Sequence, residues 1–167
     1  MVDSKEKKGR GDFSLPFTSM AQPAHFDIEG SVYFITTRLK ERERVFTEPE
    51  AEIVKTTIFD LVSRKEFELY AYVIMPDHLH ILMKPSHNGI SKAMQLVKGG
   101  SSRQINKGYL WQQGFFDFTV LTEKKFKEKF NYIHYNPVKW GLVEKAEDYK
   151  FSSAKEYKIK YGEAFYE

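Results

Sequence analysis

Two histidines separated by a single residue, His78-Leu79-His80, stand directly after Pro76-Asp77. On a strand, residues i and i+2 point the same way. Both imidazoles would then share one face, with Leu79 turned into the opposite layer. Such a pair is a two-point grip for a metal ion. The same spacing also fits two partly exposed histidines beside a sheet. Further ligands would have to come from elsewhere, and His87, His25, Asp77 and Asn136 are the candidates. Asp77 is adjacent to His78, so a turn or a supporting role suits it better than direct ligation. Asn136 follows Tyr132 by four residues, which on a helix sets one above the other. Lys125 and Lys129 fall near the same line. That stripe is a phenol flanked by cations and an amide oxygen. Its plain alternative is an exposed helical face with Asn136 capping the helix before Pro137.

Two imidazole nitrogens and an amide oxygen make a weakly charged site with room for phosphate oxygens. This donor set suits Mg²⁺ or Mn²⁺ with a bound phosphate better than a closed structural zinc. The ion would polarise a scissile phosphate as a Lewis acid. Tyr132, one helical turn from the third donor, could attack the phosphorus. A free phenol has a pKa of about 10, so a neighbouring cation such as Lys129, or the substrate itself, would have to assist.

The elements that must position these groups can be read along the chain. Residues 31–39 form a strand after Gly30, rich in β-branched and aromatic side chains. A helix starts at Thr47, with Pro49 in its first turn and Glu50 three residues on, as in a capping box, and runs to about Arg64. Strands over Phe67–Met75 and His78–Met83 form a hairpin through the Pro76-Asp77 turn. Ile90, Ala93, Met94 and Val97 mark a second helix, which Gly99-Gly100 is expected to interrupt. A fourth strand covers Phe115–Val120. A third helix begins at Thr122, with the core stripe Phe126, Phe130 and Ile133, and is expected to halt at Pro137. A short helix follows Ser152 or Ser153. The order β, α, ββ, α, β, α implies an α+β sandwich, helices packed on one sheet.

The chain has 167 residues, enough for one domain. The absence of cysteine excludes a disulfide scaffold, Cys-ligated zinc, iron–sulfur clusters and thiol catalysis, and fits a reducing compartment. No apolar run is long enough to span a membrane, and the polar start carries no secretory signal. Residues 1–25 read as a flexible basic tail, with Lys5, Lys7, Lys8 and Arg10. The net charge of +3 is a mild lean toward polyanions, and the aromatic share of 16% could serve a core or unpaired bases.

Tyr72-Val-Ile-Met-Pro-Asp-His-Leu-His-Ile-Leu82 resembles the His-hydrophobe-His block of the single-tyrosine transposases, the HUH family. Trp111–Phe115, Tyr132–Lys139 and Asp148–Ser153 are similar to further blocks of that family, in the same order. The REP-associated tyrosine transposases, a domesticated bacterial branch linked to repetitive extragenic palindromes, are the nearest likeness, over residues from about 30 to 157. The resemblance implies a ferredoxin-like α+β domain with a central antiparallel sheet, spanning 26–167. It implies an enzyme that nicks single-stranded DNA beside a hairpin, forms a 5′-phosphotyrosine and frees a 3′-hydroxyl for rejoining. By the same resemblance His78 and His80 are the metal pair, Asn136 completes the site with Mg²⁺ or Mn²⁺, and Tyr132 is the nucleophile. Tyr135 is the rival, off the Asn136 line and at a variable position. Relatives of both kinds, monomers and homodimers, exist, and a cytoplasmic, nucleoid-associated protein is implied. The chain departs from the family at Phe118 and Leu121, where His and Arg are common.

DNA contacts are expected from residues 91–107, which hold Lys92, Lys98, Arg103 and Lys107 and no acid. Lys125 and Lys129 on the tyrosine helix join them, with Arg38 and Lys139 as weaker candidates. Two other functions fit the residues: a DNA-binding module of the same fold without catalysis, which the altered 116–121 segment keeps open, and an unrelated metal hydrolase using water. The second lacks a carboxylate base at a recognisable spacing to the histidines.

Overall fold

Alternating strand residues divide the chain's apolar side chains between two layers. The computed structural model describes residues 27–161. The expected tail over residues 1–25, with His25 among the candidate ligands, lies outside the described residues. Four strands, β1 (Val32–Arg38), β2 (Phe67–Ile74), β3 (His78–Pro85) and β4 (Phe116–Val120), form one antiparallel sheet in the order β2-β3-β1-β4. The helices α1 (Glu48–Ser63) and α2 (Gly89–Gln104) complete a β-α-β-β-α-β unit, the ferredoxin-like pattern. α3 (Glu123–Lys139) and α4 (Ala154–Tyr161) follow. Among the described residues no helix is long and apolar enough to cross a membrane.

Tyr33, Ile35, Leu79, Ile81 and Met83 face α1 and α2, where Val54, Ile58, Met94 and Val97 complete one core. Phe34, Val73 and Leu82 point to the opposite layer and meet Phe130 and Ile133 of α3 in a second core. Helices therefore cover both faces of the sheet. Leu79 and its flanking histidines obey the alternation expected from sequence, and Pro76-Asp77 closes the hairpin with Met75 N–H donating to His78 O at 2.7 Å. The capping box at Thr47 and Glu50 is present in both directions.

Two expected breaks do not occur. Gly99 and Gly100 lie inside α2, and a Cβ at Gly100 would stand 3.0 Å from the Thr57 side chain of α1. Glycine there permits close helix contact rather than ending the helix. Pro137 also lies inside its helix. It forfeits only the bond that an N–H at 137 would give to Ile133 O. The helix ends at Gly141 instead, where φ is +70°. Gly141 N–H donates to Val138 O and Leu142 N–H to Pro137 O, both at 2.9 Å, closing a Schellman motif.

α3 is anchored to β2 through a buried polar contact. His134 Nε2 lies 2.7 Å from Ser153 Oγ, which accepts the Tyr72 N–H at 3.0 Å. Burial pushes the His134 imidazole down to about 3. Between that value and the ordinary 6.5 the unfolded chain binds the extra proton, so stability falls as pH falls through this window. His80, also buried and pushed down, acts in the same direction. Urea unfolding at pH 7 and pH 5 should show a loss on acidification to which His134 contributes about 2 kcal/mol. His134→Asn should be less stable at pH 7 and should lose correspondingly less between the two values.

Candidate functional site

The site is built on the face of the sheet that α3 covers. β3 begins at His78, and His80 stands two residues on, each 5% exposed. Their Nε2 atoms face each other at 3.1 Å. The other ring nitrogens are already held. Asp77 Oδ1 lies 2.5 Å from His78 Nδ1, and its second oxygen takes Arg38 Nη2 at 2.7 Å. Burial pushes the Asp77 carboxyl up, but the His78 and Arg38 contacts outweigh it and hold the group well below the usual carboxylate range. An ionised carboxylate only accepts, so His78 Nδ1 carries a proton and Nε2 is the ring nitrogen turned toward His80.

Thr36 sits directly opposite His80 in the β1–β3 register, with Oγ1 2.7 Å from Nδ1. Burial, aided by His78 and Arg38, lowers the His80 pKa and keeps the ring neutral. The Thr36 hydroxyl can rotate to suit either tautomer. When it donates, His80 Nε2–H bonds to His78 Nε2. When it accepts, both Nε2 lone pairs face the same space. Phe34 stacks on His80 with ring centroids 5.4 Å apart.

α3 supplies the remaining groups. Tyr132 sets its ring edge against His80 at 5.2 Å and against Phe34 at 5.7 Å, while 42% of the residue stays exposed. Trp140, two turns further on, stands beside His78 with centroids 6.4 Å apart. Asn136 falls between them on the same line, and its Oδ1 is buried without a hydrogen-bond partner. The helix therefore continues through Asn136, which caps nothing. Tyr135, three residues from Tyr132, points about 60° away round the helix. Lys129 Nζ lies over Phe34 and Phe118 at 4.9 and 5.0 Å and 6.0 Å from the Tyr132 ring. Phe118 thus holds a cation where the resemblance led one to expect a histidine. His87 is exposed at the far end of β3 from His78 and joins no ligand set.

Two ring nitrogens facing each other and a buried amide oxygen could together hold a divalent ion. A buried amide oxygen without a partner costs free energy unless a ligand satisfies it. Among the described residues no cluster of three His, Cys, Asp or Glu could hold a metal, and the Asn136 amide oxygen is a donor that could join the two imidazoles.

Of the basic candidates, Arg38 and Lys129 stand at this centre. Arg103 and Lys107 line an open groove of about 940 Å³ between α2 and the loop 105–115. Lys107 also approaches Glu50 at 4.0 Å, Lys92 bonds Gln95, and Lys125 pairs with Glu128 at 2.7 Å. The loop reaches the site edge through Gln112 N–H, which donates to Arg38 O. Lys98 does not present a free ammonium. Its Nζ donates to Gln112 O at 2.8 Å and Gly114 O at 2.7 Å, and burial lowers its pKa. Trp111 is buried, with Nε1–H donating to Ser101 Oγ, whereas Tyr109 is 81% exposed. Thr36, Phe34 and Trp140 were not singled out from sequence. Trp140 had a signal, standing at i+4 from Asn136, concealed by the expectation that Pro137 ended the helix.

Lys98→Met removes both tethers of the loop. It should cost about 1–3 kcal/mol in urea unfolding and speed amide exchange over residues 112–115. A lysine that only touched phosphate would leave stability unchanged.

Comparison with known proteins bears on the family and the fold. A REP-associated tyrosine transposase of Escherichia coli (strain K12) is 24% identical over 136 residues, covering 80% of this chain and 82% of the relative. A Haemophilus influenzae protein whose name includes the same words is 28% identical over 141 residues, 75% of this chain and 80% of its own length. The solved structure of a REP-associated tyrosine transposase bound to a REP hairpin shares the fold, with a TM-score of 0.77 at 23% identity over 86% of this chain and 87% of that one. The family described as "Transposase IS200 like" matches residues 28–136, from the residues before β1 through Asn136. On that match the chain belongs to the IS200-like transposases, a family of enzymes.

Proposed function

We propose that this transposase cuts and rejoins single-stranded DNA beside a hairpin, with Tyr132 as nucleophile and a divalent ion, Mg²⁺ or Mn²⁺, at His78, His80 and Asn136. The observation that carries the reading is the unsatisfied Asn136 Oδ1, on the helix that sets Tyr132 against His80. His78 Nε2, His80 Nε2 and Asn136 Oδ1 would hold the ion. When bound, it would supply Lewis-acid polarisation of the phosphate. Asp77 and Thr36 hold the two rings in place, and Asp77 keeps a proton on His78 Nδ1.

The chain's own residues do the rest. Tyr132 Oη attacks the phosphorus, the bond from phosphorus to the 3′-oxygen breaks, and the 5′-phosphate stays on the tyrosine. The phenolic proton passes to solvent, and the leaving 3′-oxygen takes one up as a hydroxyl. Attack on the phosphotyrosine by another strand's 3′-hydroxyl reverses the chemistry and frees Tyr132. Lys129, held over Phe34 and Phe118, adds positive charge beside the reacting phenol. The hairpin enters by analogy with the relative solved with one. Arg38, Arg103, Lys107, Lys92 and Lys125 would contact phosphates. Each of those with an acidic partner would exchange it, since exposed ion pairs are weak.

A second reading, binding without cleavage, draws on the 116–121 segment, where Leu121 is 74% exposed and offers no cation. One assay separates the two. Labelled hairpin oligonucleotide with Mg²⁺ or Mn²⁺ should give a denaturant-stable protein–DNA adduct. The adduct should vanish in Tyr132→Phe and on chelation, and persist in Tyr135→Phe. Binding with no adduct under either metal would select the second reading.

The supporting residues give an independent check. Calorimetric titration with Mn²⁺ should show affinity about 10–100-fold weaker in Asp77→Asn and Thr36→Val. Unchanged affinity in both would remove the metal assignment.

A further inference from the structure

Trp140 has no part in the strand transfer described above, yet it is placed against the site. The residue is 55% exposed, whereas the chain's other tryptophan, Trp111, is 6% exposed and hydrogen-bonded. Its ring stands 6.4 Å from that of His78, tilted by 59°. Its backbone N–H donates to Asn136 O at 3.1 Å, and the Gly141 turn closes directly behind it. The indole is thus carried on the same turn as the Asn136 amide. Exposed Lys139 precedes it, and Arg38 is paired in register with His78. A large aromatic face open to solvent beside the two histidines, with Lys139 next to it in sequence and Arg38 opposite His78 on β1, matches an unpaired base and its flanking phosphates. An apolar protein partner would not call for the cations.

The two ends of the α3 line differ. Tyr132 stands at His80 and Trp140 at His78, eight residues or about 12 Å along the helix. An in-line displacement keeps the entering and leaving oxygens on opposite sides of phosphorus. We propose that Trp140 stacks on the unpaired base of the nucleotide whose 3′-oxygen leaves, and so retains the freed 3′-hydroxyl strand for rejoining. This rests on Tyr132 being the nucleophile.

The probe is a fluorescein-labelled hairpin oligonucleotide with unpaired flanks, its cleavage position mapped from the length of the released product. Binding is followed by anisotropy and, with unlabelled DNA, by tryptophan emission. DNA should quench the emission, and Trp140→Phe should remove most of the quench. Trp140→Ala should bind about tenfold more weakly, with Trp140→Phe restoring part of the loss. An abasic nucleotide on the 5′ side of the cleaved bond should weaken wild-type binding by a similar factor and leave Trp140→Ala unaffected. If the abasic effect falls on the 3′ side instead, the strand assignment is overturned. Binding with unchanged emission and equal affinity in Trp140→Ala removes the platform while the nicking reading stands. Absence of binding and of any adduct with wild-type protein would overturn both.

Discussion

The antiparallel pairing of β1 with β3 is the contact on which the site depends. Its register sets Thr36 opposite His80 and Arg38 opposite His78. Strand alternation then sends both imidazoles to one face and Leu79 to the other, where the α1–α2 core buries it completely. A slip of one residue would exchange these roles, placing two imidazoles in an apolar core and a leucine at the site. The same face receives α3 through Phe130 and Ile133 packing near Phe34 and Leu82. One register thus fixes the histidines, their hydroxyl partner and the surface on which the tyrosine helix rests.

Local chemistry made part of this arrangement legible in the sequence. The His-x-His spacing, the Pro76-Asp77 turn, the Thr47–Glu50 capping box and the Phe126–Phe130–Ile133 stripe each depend on neighbours within a few residues. What was illegible depends on distant ones. Gly99-Gly100 reads as a break until α1 is known to pass beside Gly100. Pro137 reads as a stop, although the glycine four residues later is the actual terminus. Thr36 is 44 residues from His80, and only strand pairing brings them together. Lys98 looked like an exposed cation because nothing local shows that two loop carbonyls surround it.

The net charge of +3 averages over an uneven distribution. Arg38, Lys107 and Lys125 are balanced by Asp77, Glu50 and Glu128. Lys129, 3.8 Å from Glu128, also rests on aromatic rings. The aromatic excess divides along similar lines: Tyr33 and Tyr72 fill the core, while Phe34, Tyr132 and Trp140 surround the two histidines.

The closure of α3 by Gly141 carries a thermal consequence. The last turn of a helix is ordinarily its first part to melt, and here Pro137 has already removed one internal bond from it. The turn is held by amides donated from Trp140, Gly141 and Leu142. Asn136 and Trp140 belong to that one small cooperative unit, whereas His78 and His80 belong to the centre of the sheet. Warming that unwinds the unit would disassemble the two halves of the site from each other while both cores remain folded.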